Sequence, residues 1–135
     1  IIKAAKPYLN VSGLEPSKDA ENIWKARGLN VTVGSALSLP FVNDEFDTTI
    51  SSHVIEHIDD DSKAVDEIIR VTKFRSIIVV PCGNVDEKNP GSPHLRYYNR
   101  RNFKSLISQS AGKFEFKTYS LAHNHINNHI AVIDK

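Results

Sequence analysis

The stretch Leu9-Asn10-Val11-Ser12-Gly13-Leu14-Glu15-Pro16-Ser17 decides how the fold of this chain is interpreted. Its apolar residues predict a short strand that ends at Glu15, and Pro16 and Ser17 are typical of residues that open a helix. A carboxylate at the carboxyl end of a parallel strand, facing a helix N-terminus, is well suited to accept hydrogen bonds from both hydroxyls of a ribose. The stretch therefore indicates a nucleoside cofactor.

Strands and helices alternate from this stretch onward. The predicted strands cover residues 9–14, 29–33, 46–52 and 77–80, and the last is predicted to be fully buried. The helices between them are predicted to begin at Ser17 and at Asp59-Asp60-Asp61. Their apolar stripes are Ala20, Ile23 and Trp24 in the first helix and Val65, Ile68, Ile69 and Thr72 in the second. The alternation implies an α/β fold with a mostly parallel sheet and helices on both faces.

The last third of the chain follows a different pattern. Residues 81–99 show no periodicity and are predicted to form a loop. A helix is predicted to begin at Arg100, and two strands follow it, one from Phe114 and one over residues 129–133. Asn127-Asn128 is predicted to be the turn between them, which gives an antiparallel hairpin. The inward side chains of the helix are predicted to be Phe103, Leu106 and Ile107.

Length and composition predict a single domain over residues 1–135. Seventeen basic and sixteen acidic side chains give a net charge of +1, which is too small to indicate nucleic acid through the overall field. The lone Cys82 cannot form an internal disulfide, and no apolar run of about 18 residues is present. We therefore expect a cytoplasmic protein that has no membrane span and does not act on nucleic acid.

Four further motifs follow Glu15 in a fixed order. They are Gly34-Ser35-Ala36, Leu39-Pro40-Phe41, Asp44-Glu45-Phe46-Asp47 and Val54-Ile55-Glu56-His57-Ile58. The series resembles class I S-adenosylmethionine-dependent methyltransferases of the small-molecule type. The resemblance implies a Rossmann-like sheet, S-adenosylmethionine as the cofactor and a small-molecule acceptor. A nicotinamide-dependent oxidoreductase is disfavoured, because the second and fourth motifs have no corresponding role there.

The resemblance implies that the ends of three predicted strands bind the cofactor. The residues concerned are Glu15, Pro16 and Ser17, then Ser35, Ala36 and Leu37, and finally Ser52, His53, Val54 and His57. Ser35 stands where many such proteins have an acid that accepts from the adenine amine, and an uncharged hydroxyl accepts less strongly. The alternative interpretations are a surface glutamate for Glu15 and an ordinary loop serine for Ser35.

The catalytic residue is left open by the sequence. His57 and His94 are weak candidates for a general base, because the pKa of imidazole lies near neutrality. We favour the alternative that His53 and His57 shape the pocket and cap the next helix. Methyl transfer from a sulfonium depends largely on positioning, so it does not require a strong base.

The acceptor is expected to lie between the end of the last parallel strand and the following helix. The residues expected to face it are Cys82, His94, Arg96 and Tyr97. No motif that would activate Cys82 is present, so we expect its thiol to line the wall. A basic cluster of Arg96, Arg100, Arg101 and Lys104 could receive a carboxylate, a phosphate or RNA, or be a solvated helix face. We expect no tight RNA binding at physiological salt.

A metal site is not predicted. His123, His125 and His129 are close in sequence, and two histidines at i and i+2 on a strand point the same way. No cysteine or carboxylate set completes a closed tetrahedral site around them, so we predict that they bind no metal.

Two features that the resemblance implies are missing from the sequence. Residues 1–6 are predicted to be the end of a helix broken by Pro7, where a strand and a glycine-rich turn are expected. Residues 72–76 stand where the family has a turn with proline and glycine. We therefore expect either a part of a longer polypeptide or a degenerate member of the family. The alternative to an enzyme is an inactive methyltransferase-like domain that serves as an interaction or scaffold module.

The missing strand is expected to lie between the strand that ends at Glu15 and the strand over residues 46–52. Both neighbours are predicted to be buried, so an empty position would cost about 1 to 3 kcal/mol for each unsatisfied backbone group. We expect the two strands to pair directly, another chain to fill the position in an oligomer, or the sequence to continue in a longer protein. With direct pairing we expect little or no methyltransferase activity from this chain alone.

Overall fold

The structure is a computed structural model that describes residues 9–83, 94–123 and 126–135. The chain divides into two compact parts, unit 1 (Ile1–Pro40) and unit 2 (Phe41–Lys135). Three predictions fall outside the described residues: the helix end over residues 1–6, the middle of the loop over residues 81–99, and the role of His125.

Unit 1 is a strand–helix–strand segment. Strand β1 (Ser12–Glu15) pairs in parallel with β2 (Asn30–Val33), and helix α1 (Glu21–Ala26) lies between them in the chain. The helix is followed by Gly28, whose φ of 63° is a left-handed conformation that a residue without Cβ adopts at little cost. Strand β1 begins at Ser12, later than the predicted start at Leu9. Leu9 lies outside the strand and is exposed.

The start of α1 differs from the prediction. Ala20 occupies the N-cap position without a side-chain hydrogen bond, so Ser17 is not the cap. The reason is local: the Ser17 N–H donates to the Glu15 carboxylate oxygen Oε1 at 3.1 Å, which stabilises a turn before the helix. The predicted apolar stripe is also wrong in part, since Ile23 is 52% exposed.

Unit 2 is a four-stranded sheet with two helices that contact each other. Its elements in chain order are β3 (Phe46–Ser52), a 3₁₀ helix (Ile55–His57), α2 (Asp61–Val71), β4 (Thr72–Pro81), α3 (Arg100–Ala111), β5 (Glu115–His123) and β6 (Ile126–Asp134). The strand order is β3-β4-β6-β5, in which β3 and β4 are parallel and both pairings of β6 are antiparallel. The α/β fold class and the antiparallel hairpin at its end are thereby confirmed.

The core of unit 2 lies between this sheet and its helices. Helix α2 packs on β3 and β4, and α3 packs on β5 and β6. The buried apolar side chains include Val65, Ile68 and Ile69 from α2, Phe103, Leu106 and Ile107 from α3, Ile78 and Val80 from β4, and Ala131 and Ile133 from β6. The stripe predicted for α3 is confirmed, and that of α2 is confirmed for Val65, Ile68 and Ile69. Thr72, predicted as its last member, is buried but lies in the following strand and not in the helix. No helix in the described ranges is both long enough and apolar enough to cross a membrane.

Strand β4 is longer than predicted and is not buried on both faces. It begins at Thr72, directly after α2, so residues 72–76 form a strand where the family resemblance implies a turn. The Thr72 hydroxyl donates to the Ile68 carbonyl at 2.6 Å and thereby satisfies a carbonyl in the last turn of α2. Ile78 and Val80 are buried, whereas Ile77 and Val79 are only partly covered.

The turn predicted at Asn127 and Asn128 is wrong. Both residues lie in β6, opposite Ala122 and Leu121 of β5. Asparagine favours turns because it tolerates left-handed backbone, but this is a weak local preference. Cross-strand pairing along the whole of β5 outweighs it.

The predicted pairing around the missing strand is only partly tested. Strands β1 and β3 belong to different sheets, so direct pairing between them is not observed among the described strands. The expectation that both are buried is wrong, because Ile50 in β3 is 52% exposed and no residue of β1 is fully buried. A second chain at this position and a longer protein both stay predictions.

Candidate functional site

The carboxyl edge of the β1–β2 sheet holds one group of predicted cofactor residues. Glu15 is the last residue of β1, and its carbonyl accepts a hydrogen bond from the Gly34 N–H at 3.1 Å. Ser35 follows Gly34 directly, so both residues singled out by the sequence lie at one edge. A Cβ atom on Gly34 would lie 3.0 Å from Leu14 Cδ1, so a larger residue here would require the Leu14 side chain to move.

Both loops at this edge are held by hydrogen bonds from backbone to side chain. Glu15 Oε1 accepts from the Ser17 N–H at 3.1 Å, and Ser35 Oγ accepts from the Leu37 N–H at 3.2 Å. The six predicted cofactor residues of unit 1 occupy these two turns: Glu15, Pro16, Ser17, Ser35, Ala36 and Leu37. The structure brings the six together, and their contact with a cofactor stays a prediction.

The end of β3 holds the second group. Ser52 is its last residue, and His53 takes a φ of 54°, a left-handed conformation that is uncommon for a residue with a side chain. The His53 N–H still donates to the Val79 carbonyl of β4, at 3.0 Å. The turn leads through Val54 into the 3₁₀ helix that carries His57. Backbone strain of this kind is concentrated at functional sites, and the role of this segment in cofactor binding stays a prediction.

A buried carboxylate lies among histidines directly after this turn. Glu56 is 0% exposed, and His53 Nδ1 and His57 Nε2 lie 3.4 Å and 3.8 Å from its Oε1. The rings of His57 and His94 meet edge to face, with centroids 4.8 Å apart. Glu56, His57 and His94 each offer an oxygen or nitrogen atom, and these three atoms lie within 4.8 Å of one another. We call His53, Glu56, His57 and His94 the histidine cluster.

Hydrogen bonds and an ion pair hold the segment that carries His94 beside Glu56. The Leu95 N–H donates to the Glu56 carbonyl at 3.0 Å. The Arg96 guanidinium contacts Asp61 Oδ2 at 2.7 Å and donates at 2.6 Å to the backbone carbonyl two residues before Asp61. Two distant parts of the chain are therefore fixed next to each other at the histidine cluster.

The Asp61 carboxylate binds two side chains of the segment that follows His94, those of Arg96 and Tyr98. The Tyr98 hydroxyl donates to Asp61 Oδ2 at 2.7 Å, and burial, followed by this hydrogen bond, raises the pKa of Tyr98 well above its usual value. Burial opposes the charge of Arg96, but the hydrogen bond and the attraction of Asp61 together raise its pKa. Both groups therefore keep their protons at physiological pH. Arg96 holds the segment in place, and its predicted contact with an acceptor stays a prediction.

The end of β4 brings the other predicted acceptor residues together. Cys82 is exposed and pairs through its backbone with Tyr98. The ring of Tyr97 lies close to Gly83, the residue after Cys82. A Cβ atom added to Gly83 would lie 2.8 Å from Tyr97 Cδ1. The same ring lies 5.2 Å from that of His94, centroid to centroid. The predicted acceptor residues Cys82, His94, Arg96 and Tyr97 thus occupy one region, at the carboxyl end of β4.

Glu56 is the residue that sequence reasoning missed. It is an acid between Ile55 and Ile58, in a segment too short to expose one face of a helix. An acid flanked by isoleucines in so short a segment was the sequence signal for a buried carboxylate. Its grouping with His94 depends on contact between distant segments, which periodicity and spacing do not reveal.

The histidines near the C-terminus are separate from this cluster. His129 is buried, shares a hydrogen bond with Ser120 Oγ at 2.8 Å and stacks on Phe103. These contacts give His129 a structural role in the core. The side chain of His123 lies outside the described residues, so the prediction for these histidines stays untested.

A depression of about 330 Å³ elsewhere in unit 2 is a weaker candidate for a site. Its lining includes Asp44, Arg70 and Lys135, and Lys135 Nζ also donates to the carbonyl of Thr72, the first residue of β4, at 2.7 Å. The charged groups are already paired, Lys135 with Asp44 and Arg70 with Glu67. Parallel sheets bind ligands at the carboxyl ends of their strands, and this depression lies at the opposite end of β4.

Each of the comparisons with known proteins finds methyltransferases. The family model described as a methyltransferase domain matches residues 2–80. The chain is 34% identical over 104 residues to ajmaline N-methyltransferase of Rauvolfia serpentina, and 39% identical over 101 residues to norajmaline N-methyltransferase of the same organism. These matches cover 74% and 72% of this chain but 35% of each relative, so the chain spans about a third of their length.

A solved structure supports the fold. The S-adenosylmethionine-dependent methyltransferase of Thermotoga maritima has a TM-score of 0.72 and 20% identity to this chain, with 99% of this chain and 87% of that one covered. At this identity the likeness shows the fold alone. The family model, in contrast, matches more than half of the sequence. The chain therefore belongs to the methyltransferase-domain family.

Proposed function

We propose that this protein is an S-adenosylmethionine-dependent methyltransferase domain that acts on a small-molecule acceptor. One observation carries the proposal: the family match over residues 2–80 includes all three segments predicted to bind the cofactor. Each of these segments lies at the carboxyl end of a parallel strand, where sheets of this class bind nucleotides. The family match and the strand ends therefore support the same function.

The donor set of unit 1 fits the nucleoside part of this cofactor. One oxygen of the Glu15 carboxylate is held by the Ser17 N–H, which fixes the group and leaves lone pairs for the ribose hydroxyls. The Ser35 hydroxyl is positioned by its bond to the Leu37 N–H and has a proton to donate to an adenine nitrogen. S-adenosylmethionine, when bound, supplies an electrophilic methyl group on a sulfonium.

Unit 2 would hold the acceptor. Tyr97 and Cys82 present an aromatic ring and an exposed thiol at the end of β4, and His57 and His94 lie in the same region. Both relatives are named N-methyltransferases, which favours a nitrogen acceptor. An amine releases a proton when it is methylated, and an imidazole of His57 or His94 is suited to accept it while no metal ion is bound to that ring.

The cofactor contact is tested by Glu15→Ala. We expect the affinity for S-adenosylmethionine to fall by about 1.5 to 3 kcal/mol, about 10- to 150-fold, which is the usual scale for a charge-assisted hydrogen bond. The measurement is calorimetric titration of the purified chain with S-adenosylmethionine. Glu21→Ala is the matched control, because Glu21 lies in the same unit and pairs with Lys25 on the surface.

Equal affinity for S-adenosylmethionine in Glu15→Ala and wild type would show that Glu15 does not bind the cofactor.

Methyl transfer is measured separately by mass spectrometry, as the mass gain of small amines incubated with the protein and the cofactor. Cofactor binding without transfer to any amine would move the proposal to another acceptor class. A wild-type chain that does not bind S-adenosylmethionine would favour the interaction or scaffold module.

A further inference from the structure

The Glu56 carboxylate is buried without adequate compensation. Its side chain is 0% exposed, and neither oxygen accepts a hydrogen bond from any residue in the described ranges. The imidazoles of His53 and His57, at 3.4 Å and 3.8 Å, are farther away than the roughly 2.7 to 2.9 Å of a charge-assisted hydrogen bond. A buried carboxylate of this kind is costly unless a positive group binds it closely.

The neighbouring side chains are the ones that ligate transition metals. The ligand atoms of Glu56, His57 and His94 lie within 4.8 Å of one another. A cation with bonds of 2.0 to 2.2 Å needs its ligand atoms about 3 to 3.5 Å apart, so side-chain rotations of about 1 Å close the site. All three side chains have rotatable bonds that allow such a movement.

The backbone around these residues is already fixed. Leu95, the neighbour of His94, donates to the Glu56 carbonyl at 3.0 Å, and the ion pair of Arg96 with Asp61 holds the same segment. A cation would therefore bind to ligands whose main chains need not move. This reduces the entropy that binding costs.

We infer that Glu56, His57 and His94 bind a first-row divalent cation, with Zn²⁺ as the best match to the donor set. Two imidazoles and one carboxylate suit zinc and its neighbours, whereas calcium and magnesium select oxygen ligands. Three protein ligands leave a coordination position open for solvent or for an atom of a small molecule. When the side chains rotate to close the site, His53, whose Nδ1 lies 3.4 Å from Glu56 Oε1, is near enough to become a positioning residue for this carboxylate. This assignment replaces the expectation from sequence that the protein has no metal site.

The test uses tag-free protein that has been dialysed against a chelator. Zn²⁺ alone is titrated into it by calorimetry, and Co²⁺ is used as a second probe because its visible spectrum reports nitrogen ligation. We expect one equivalent of Zn²⁺ to bind. Glu56→Gln and His94→Gln should each weaken binding by at least about 100-fold, and His53→Gln by about 10-fold, the usual effect of a residue that supports a ligand.

Two controls make the result specific. Glu115→Gln removes an exposed carboxylate on β5 and should leave Zn²⁺ affinity unchanged. Cys82→Ser tests the exposed thiol, and loss of binding in this variant would show that the assigned ligands are wrong. Circular dichroism verifies that Glu56→Gln is folded, and His94→Gln, in a segment without helix or strand, gives a second test if it is not.

The inference is overturned if Zn²⁺ binds the wild type more weakly than about 1 mM, or if both Glu56→Gln and His94→Gln keep the wild-type affinity. Metal binding is measured without S-adenosylmethionine and without an acceptor. Its failure would therefore leave the proposed methyl transfer standing, and failure of methyl transfer would leave the metal site standing.

Discussion

Unit 1 and unit 2 both contain strand–helix–strand segments, but each unit is stabilised internally by different interactions. Unit 2 encloses Phe103, Ile78 and Ile133 at 0%, 0% and 1% exposure, whereas no described residue of unit 1 is fully buried. The strands of unit 1 have four residues each, and its helix has six. A two-stranded sheet of this size is marginal by itself.

The two candidate sites are also stabilised differently, one by local turns in unit 1 and the other by tertiary contacts in unit 2. The turns that carry Glu15 and Ser35 are each closed by a bond between residues only two positions apart. The histidine cluster is held by bonds between distant segments that rest on a packed core, such as the Leu95 bond to Glu56. We therefore expect the free energy of unfolding to depend on unit 2. The geometry of the edge with Glu15 and Ser35 should depend on its local turns and on the proposed cofactor.

The largest effect is expected from Phe103→Ala. Phe103 is 0% exposed and lies against the rings of Tyr98 and His129, so truncation should lower the free energy of unfolding by about 3 to 5 kcal/mol. Ile23→Ala in unit 1 is the matched change, and it should cost less than about 1 kcal/mol because Ile23 is 52% exposed. Urea denaturation followed by circular dichroism measures both. Similar losses would contradict the contrast between the two units.

The same contrast explains how much the sequence predicts. Strand β3 was predicted over its observed residues, because the β-branched residues Thr48, Thr49 and Ile50 follow a polar turn and act as a local signal. The start of a helix at Asp59-Asp60-Asp61 was also predicted, and Asp60 is its N-cap, which accepts from the Lys63 N–H at 2.9 Å. The Ser17 cap failed because the Ser17 N–H binds the Glu15 carboxylate in a turn that precedes the helix, and the helix itself begins at Glu21. The grouping of Glu56 with His94 depends on tertiary contacts, so no local pattern contains it.

A smaller effect is expected from Gly83→Ala. The added Cβ atom would lie 2.8 Å from Cδ1 and 3.0 Å from Cβ of Tyr97, so the ring must move. We expect a loss of about 1 to 3 kcal/mol, the usual cost of overpacking, and a change in the NMR shifts of the Tyr97 and His94 rings.

Gly34→Ala is the control for that substitution in unit 1. Its Cβ atom would lie 3.0 Å from Leu14 Cδ1, the end of a flexible side chain, and 3.2 Å from Pro40. We expect a smaller loss than for Gly83→Ala, because Leu14 can rotate away. A larger loss would mean that the edge of unit 1 is packed more tightly than its exposure indicates.

The smallest effect is expected from pH, and it should be confined to unit 2, because residues 1–40 contain no histidine. Burial, and then the nearby charge of Arg100, lowers the pKa of His129 below its usual value of about 6.5. The unfolded chain therefore takes up the proton at a higher pH than the folded chain does. The contribution of His129 to stability is fully present above about pH 6.5 and is lost as the pH falls toward its folded pKa.

Comparison of wild type with His129→Gln isolates this term from other titrating groups. The free energy of unfolding of the wild type should fall more steeply between about pH 7.5 and 5.5 than that of the variant, whatever their difference at the upper pH. Hydrogen exchange at both pH values then locates the change. Protection should decrease in β4, β6 and α3, which surround His129, and stay constant in β1 and β2. Parallel pH profiles for the two proteins would show that His129 takes up its proton equally well in the folded and unfolded states, and its burial would then have no consequence for stability.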